Sequence, residues 1–210
     1  GQADIAVGIA PSWNFGGAVD FSAAYLRHGE RLMIRAADAE EFTGFGSVAN
    51  ETLMVPNNDT LISTYAVSIA EDNGWQIEIT QQRETDLGFL LLGGDEDIEA
   101  QAVFADSFAL VPHVQANPGE LILTLNDNGD ARWYGPSQIA GQDFTFRTMA
   151  LALPDNDIDF RLLVEFTLQE LARDGTLAML LQQVMLPEDI PVLEIWPGQV
   201  SYLNYSLSGQ

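Results

Sequence analysis

Residues 98–114 read IEAQAVFADSFALVPHV, and this stretch decides the fold. Residues 102–105 form a short apolar run that stops at Asp106-Ser107, and Phe108 begins a helical pattern. This order predicts a buried parallel strand, a tight turn and a helix. Open α/β sheets bind ligands just outside the carboxyl ends of their strands, so Asp106 and Ser107 are candidate site residues. The alternative is that Asp106 only caps the helix, because Asp is favoured there.

The composition indicates a globular and strongly acidic chain. Of its 210 residues 47% are hydrophobic, and no apolar run is long enough to span a membrane. The net charge of −23, from 31 acidic and 8 basic residues, argues against nucleic acid and anionic membranes as partners. Cysteine is absent, which excludes disulfides, a thiol nucleophile and cysteine-ligated metals. The opening GQADIAVG lacks a basic region and is typical of a processed form.

Strand and helix patterns alternate along the chain, which predicts an α/β fold with a largely parallel sheet. Further strands are predicted at residues 3–10, 31–35, 52–55, 76–80, 121–125 and 144–153, and helices at 60–70, 86–92 and 159–184. His28 and His113 lack metal-ligand spacing and are expected at surface or cap positions. A glycine-rich phosphate loop and a nucleophile elbow are also absent, so no cofactor and no catalytic residue are expected.

Five stretches together resemble one protein family. They are GQADIAVGIA at the start, VDFSAAYLRHGERLMIR at 19–35, LMVPNNDTLI at 53–62, AVFADSFAL at 102–110 and MALALPDNDIDFRLLVEFTLQELARDGTLAMLL at 149–181. In this order they resemble the amino-acid-type periplasmic solute-binding proteins, the extracellular solute-binding protein family 3 with the type II periplasmic binding fold. The resemblance covers about residues 1–186. The DFS and DGT motifs are each weak evidence for the family. Together, in this order and at suitable spacing, they make the resemblance fairly specific.

The resemblance implies two α/β lobes that clamp a ligand by hinge closure. Lobe 1 would begin with residues 1–29, lobe 2 would hold 30–140, and 141–210 would hold the crossover and the rest of lobe 1 with an extra tail. It also implies an ABC importer permease as partner and a periplasmic or extracellular location, secreted or lipid-anchored. Lobe 1 would lack its first two strand–helix units, because the chain is either a fragment or a shortened member.

The resemblance also implies a site. The family's Asp at position 106 binds the ligand ammonium, whereas the family's carboxylate-binding Arg is replaced by Phe15 in a loop without a cation. A small polar ligand that is cationic or neutral is therefore expected, and Asp106→Asn should weaken its binding. Asp59 would repel an anion or serve only as an N-cap, and Trp13 and Phe15 would stack on the ligand or plug the cleft. The predicted ligand-binding residues are Asp106, Ser107, Trp13, Phe15, Ser12, Asp59 and Thr60.

Two other functions stay open at this point. The same fold includes cyclohexadienyl dehydratase-like enzymes, but catalysis would need a raised pKa at Asp106 and a second acid–base group, and the sequence shows none beside it. A degenerate pair of lobes would bind a protein partner or no ligand.

The C-terminal tail carries two further strand patterns, at residues 191–196 and 200–205, separated by the turn signal Pro197-Gly198. We expect one of them to cover an open edge of the lobe-1 sheet, or to pair with a second copy in a homodimer.

Overall fold

The structure is a computed structural model that describes residues 4–11, 15, 17–42, 44–126, 129, 131–134 and 147–190. The chain divides into two compact units. The first unit comprises Gly1–Arg27, Arg147–Gln183 and Ile190–Gln210, and the second comprises His28–Phe146 and Val184–Asp189. Within the described ranges, no helix is long and apolar enough to cross a membrane.

Strands and α-helices alternate between residues 52 and 116, as the sequence predicted, whereas four strands come before this stretch. The strands are β1 (Ala6–Ile9), β2 (Val19–Phe21), β3 (Leu26–His28), β4 (Glu30–Arg35), β5 (Thr52–Pro56), β6 (Glu78–Gln82), β7 (Ala102–Asp106), β8 (Leu121–Leu123) and β9 (Arg147–Pro154). The helices are α1 (Thr60–Asn73), α2 (Leu87–Leu91), α3 (Ser107–Ala116), α4 (Ile158–Arg173) and α5 (Thr176–Leu181). The mixed α/β class is confirmed.

The second unit is built on a five-stranded sheet with the order β6-β5-β7-β4-β8. β5 pairs in parallel with β6 and with β7, as strands joined by crossover helices do. β4 pairs antiparallel with β7 and with β8, so four strands share one direction and β4 is inserted against them. The largely parallel sheet predicted from the sequence is therefore found in this unit, with β4 as the exception.

Both faces of this sheet are covered, which explains why its central strands are continuous apolar runs. Met54 and Val103 lie in one core cluster, with α2 and α3 residues, whereas Leu53 and Phe104 lie in a second cluster with α1 residues. Adjacent residues of a strand alternate between the two clusters because side chains alternate across a sheet. β7 is therefore buried on both faces as far as Ala105, and Asp106 at its carboxyl end is half-buried.

The helices begin and end where local signals place them. Asp59 caps α1 by accepting hydrogen bonds from the backbone nitrogens of Leu61 and Ile62, and α1 ends at Gly74 in the left-handed conformation. Asp157 caps α4 through the nitrogen of Phe160. The break predicted at residues 174–176 separates α4 from α5.

The first unit is organised around β9, which pairs antiparallel with β1 and with β2. The expectation of a parallel arrangement is wrong here, because no helical crossover joins these strands directly. The buried strand predicted at residues 3–10 is a short edge strand whose residues Ala6–Ile9 are mostly exposed. Its register shifts between Ala6 and Ile9, where Gly8 has a φ of 71°. Within the described part of the chain β1 pairs only with β9, and its irregular ladder gives its side chains little to bury against.

α4 packs through Val164 and Leu168 against Leu153 of β9. Its other face is apolar and exposed over Ile158, Leu162, Leu163 and Phe166. The two tail strands predicted to cover this lobe, at 191–196 and 200–205, lie outside the described residues.

The segment Val184–Asp189 belongs to the second unit, although the chain on both sides of it is assigned to the first. Met185 is buried, and Leu186 packs against the core cluster that contains Val103. Asp189 forms an ion pair with Arg31 of β4, and both side chains are excluded from solvent. This segment therefore holds to the second unit by apolar burial and by one buried charge pair.

Candidate functional site

Two neighbouring parallel strands of the second unit are each followed by an aspartate that caps a helix. β5 and β7 are aligned with Leu53 opposite Ala102, so their carboxyl ends lie at the same edge of the sheet. Asp59 follows β5 and Asp106 ends β7. This edge is where open α/β sheets place their ligands. Two of the predicted site residues are therefore brought to one edge of one sheet.

Both carboxylate oxygens of Asp106 make contacts within the second unit. Its Oδ1 accepts a hydrogen bond from the nitrogen of Phe108 at 2.9 Å, which makes it the N-cap of α3. Its Oδ2 lies 2.8 Å from Nδ1 of His28, and the Asp106 side chain is 23% exposed. The sequence left open whether Asp106 is a cap or a cleft residue. The structure shows the cap, and the Asp106 side chain is also partly exposed to solvent.

His28 is the residue that the sequence interpretation missed. It was expected at a surface or cap position, and no acid–base group was expected beside Asp106. Instead the imidazole contacts the Asp106 carboxylate, and its ring stacks on Phe108 with centroids 5.2 Å apart and planes at 20°. The side chain is 12% exposed. The backbone nitrogen of Ser107 also donates to Gly29 O at 2.8 Å, which holds the two chain segments together.

The other predicted residues are placed as follows. Oδ1 of Asp59 accepts from the nitrogens of Leu61 and Ile62 at 3.0 and 3.2 Å, so its role as the α1 cap is shown. Thr60 is exposed at the first position of α1. Ser107 is only 3% exposed, so its hydroxyl lies below the surface.

The aromatic residues proposed for ligand stacking belong to a different unit from Asp106. Phe15 lies in the first unit, is 44% exposed, and makes an edge contact with Phe21 at 6.2 Å between centroids. Ser12 and Trp13 lie outside the described residues. A role for these three residues at the ligand stays a prediction.

The edge around Asp106 is acidic. Glu30 of β4 is the register partner of Asp106 and is only 4% exposed, so a second carboxyl-bearing residue lies on the neighbouring strand. Among the described residues, no group of three or more His, Asp or Glu side chains has the arrangement of a metal site.

Tyr134 contributes no charge to this region. Its backbone nitrogen donates to Glu30 O at 2.9 Å. Burial raises the pKa of the Tyr134 phenol above its ordinary value, although a hydrogen bond with Thr124 and the charges of Arg132 and Arg31 act in the opposite direction. The phenol is therefore neutral throughout the range in which histidine titrates.

A cleft of about 450 Å³ lies at the other end of the same sheet. It is lined by Arg35, Leu90, Leu91, Gly93, Asp95, Glu96, Ile98, Glu99, Ala100 and Gln101. Arg35 donates to the carbonyls of Leu91 and Ala100 and pairs with Asp38. β7 starts beside this cleft and ends at Asp106, so the two regions are separated by the length of one strand, roughly 17 Å.

The sequence matches no known family model, and it matches no characterised protein at the sequence level. Solved structures do match the fold. The second substrate-binding domain assigned to an amino acid ABC transporter of Streptococcus pneumoniae aligns with a TM-score of 0.61 and 16% identity over 88% of this chain and 74% of that one.

Two ancestral proteins align similarly. One is an ancestral cationic amino acid solute-binding protein, with a TM-score of 0.58 and 16% identity over 88% of this chain and 70% of that one. The other is an ancestral cyclohexadienyl dehydratase, with a TM-score of 0.53 and 19% identity over 87% of this chain and 68% of that one. The chain therefore has the type II periplasmic-binding-protein fold, as the motif order predicted. That fold occurs in binding proteins and, in one of these three cases, in an enzyme.

Proposed function

We propose that this chain is a solute-binding protein that recognises a small cationic or neutral polar ligand of amino-acid type through Asp106. The observation that carries the proposal is the partly exposed Asp106 side chain at the carboxyl end of β7. The fold supports a ligand-binding role, because substrate-binding proteins of amino acid transporters share it. The role is one of binding, with no chemical step.

The chain itself fixes two contacts of the Asp106 carboxylate. Its Oδ1 accepts a hydrogen bond from Phe108 N, and its Oδ2 lies beside His28 Nδ1. These two contacts fix the orientation of the carboxylate before any ligand arrives. A preorganised acceptor binds more strongly because no side-chain freedom is lost on binding.

The charge of this edge selects against anions. Asp59 and Asp106 both lie at the carboxyl ends of neighbouring strands, and each presents a carboxylate to the helix that follows. In the loop before the DFS sequence, Phe15 stands where the family resemblance implies an arginine for the ligand carboxylate. An ammonium or guanidinium group suits this edge, and a dicarboxylate does not.

Proteins of the same fold support a proposal about the setting of this function. We place the protein in the periplasm or outside the cell, and its proposed partner is the permease of an ABC importer. The net charge of −23 agrees with an exported protein that does not dock on anionic membranes.

The Asp106→Asn variant tests the proposal. Asparagine is as good an N-cap as aspartate, so the substitution removes the charge and keeps the α3 cap. A hydrogen bond to a charged group contributes about 1.5–3 kcal/mol, so we expect a cationic ligand to bind tenfold or more weakly. Isothermal titration of the full chain with L-arginine, L-lysine and L-glutamine measures the change.

Asp72→Asn is the matched control, because Asp72 is an exposed aspartate in the last turn of α1. It makes the same chemical change and should leave the affinity within about twofold, since surface substitutions away from the site have small effects. Equal affinity of the wild type and Asp106→Asn for a ligand that binds tightly would show that Asp106 does not contact it.

A further inference from the structure

Helix α4 of the first unit carries an exposed apolar surface. Ile158, Leu162 and Phe166 recur every four residues, so they lie on one face of the helix, and Leu163 lies beside them. All four side chains are between 44% and 61% exposed. Together these four residues form the α4 stripe. Large apolar side chains gathered on one exposed face are typical of a surface that contacts another segment or molecule.

A buried polar group lies on the same face of α4. Gln169 follows Phe166 by three residues and Leu162 by seven, which places it in line with the stripe. It is only 7% exposed, and its Oε1 has no hydrogen-bond partner among the described residues. A buried acceptor without a donor is destabilising, whereas a backbone N–H beside it would satisfy it. This face therefore suits an occupant that brings both apolar side chains and N–H donors, as an extended segment does.

The C-terminal segment of this chain, residues 191–205, has the composition of such an occupant. It contains the strand patterns at 191–196 and 200–205, which lie outside the described residues, and Glu194 is its single charged residue. In a chain with 19% charged residues, a segment that stays in water is expected to carry more charge than this. Ile190–Gln210 is also assigned to the first unit, together with α4.

The lengths of the stripe and of one strand pattern agree. From residue 158 to residue 166 the stripe runs about 12 Å along the helix axis. A strand of six residues is roughly 17 Å long from its first residue to its last. One of the two strand patterns is therefore long enough to cover the stripe.

We propose that residues 191–205 dock in an extended conformation on the α4 stripe of their own chain. Apolar side chains of the segment cover the stripe, and one of its backbone N–H groups donates to Gln169 Oε1. The first unit thereby gains apolar burial that the described residues do not supply. The docking is independent of ligand binding at Asp106.

Two other arrangements fit the structure less well. β1 is a poor template for a further strand, because it is short and its register shifts between Ala6 and Ile9. A second copy of the chain would meet the stripe with the same patch in a symmetric dimer. That dimer brings the exposed Asp159 of each copy to the interface and joins two molecules of net charge −23. The nearly uncharged C-terminal segment avoids this repulsion.

Thiol labelling of the full chain with N-ethylmaleimide tests the docking, because the chain has no cysteine of its own. Leu162→Cys places a thiol in the stripe, Val7→Cys places one on the exposed β1, and Ser68→Cys places one at an exposed position of α1 in the second unit. Under native conditions Leu162→Cys should react at least about tenfold more slowly than the other two, since its thiol reacts only when the segment is released. In urea all three should react at similar rates.

A triple substitution releases the segment without shortening the chain. Leu193→Asp, Ile195→Asp and Leu203→Asp place charges in both strand patterns, so in the Leu162→Cys protein they should raise the labelling rate to that of Ser68→Cys. The matched control adds the same three charges beyond the docking segment, as Ser206→Asp, Ser208→Asp and Gln210→Asp. It should leave Leu162→Cys protected. Circular dichroism shows that each variant is folded.

Three results would overturn the inference. Fast labelling of Leu162→Cys in the folded full chain would show that nothing covers the stripe, and slow labelling of Val7→Cys in its place would put the segment at the sheet edge. Protection of Leu162→Cys that is lost on dilution, with the mass of a dimer in light scattering, would show that a second copy occupies the stripe. Protection that persists in the triple variant would likewise exclude residues 191–205 as the occupant.

Discussion

Replacing Asp189 with alanine is expected to lower the free energy of unfolding by about 3–5 kcal/mol, because it removes one partner of a fully buried ion pair. Arg31 and Asp189 have side-chain exposures of 0% and 1%. The Arg31 guanidinium also donates to Thr124 O at 2.9 Å and lies 5.0 Å from the ring centroid of Trp133. These contacts hold the cation inside the unit after its carboxylate is gone, so the charge cannot escape to water. Urea unfolding followed by circular dichroism measures the loss.

Two further variants test whether the loss of stability comes from breaking the buried Arg31–Asp189 pair. Asp72→Ala, at an exposed position of α1, should change the free energy of unfolding by no more than about 0.5 kcal/mol. The double variant Arg31→Met with Asp189→Leu should recover most of the lost stability, since apolar replacement of a buried pair is often neutral or stabilising. A loss below about 1 kcal/mol for Asp189→Ala would match an exposed pair and contradict the burial described above.

Replacing Phe104 with alanine should lower the free energy of unfolding by about 3–5 kcal/mol, because it opens a cavity at the centre of a packed aromatic cluster. Phe104 is fully buried in β7. Its ring centroid lies 5.2 Å from that of Phe45 and 6.2 Å from those of Tyr65 and Tyr134. The same substitution would loosen the strand that ends at Asp106, so we also expect weaker ligand binding.

Phe89→Ala is the matched control for Phe104→Ala. It makes the same substitution on α2, where Phe89 is 63% exposed, so it opens no buried cavity. The Phe89→Ala substitution should lower the free energy of unfolding by less than about 1 kcal/mol. Similar losses for the two variants in urea unfolding would show that the Phe104 cluster is not tightly packed.

Local signals were sufficient for most of the fold. The apolar run that ends at Asp106 predicted β7, and the helical spacing after Asp59 predicted α1 with its cap. These features depend on residues within a few positions of each other, so one sequence displays them. The order of such segments then indicated the type II periplasmic-binding-protein fold, which the solved structures confirm.

Local sequence signals did not predict contacts between residues that are far apart in the chain. His28 contacts Asp106 across 78 positions, and Arg31 contacts Asp189 across 158. Both contacts depend on β4 being inserted antiparallel to its neighbours, which no local pattern encodes. The exposed β1 was also missed, because an apolar run does not report how many neighbours the strand will have.

Calorimetric titration of the full chain with L-arginine, L-glutamine and L-glutamate tests most directly whether Asp106 and its acidic edge select a cationic or neutral ligand. The three ligands share their backbone groups and differ in side-chain charge. Measurable binding of L-arginine or L-glutamine, with L-glutamate at least about tenfold weaker, is the expected result, because like-charge contact costs affinity. L-glutamate as the tightest ligand would contradict the proposed function.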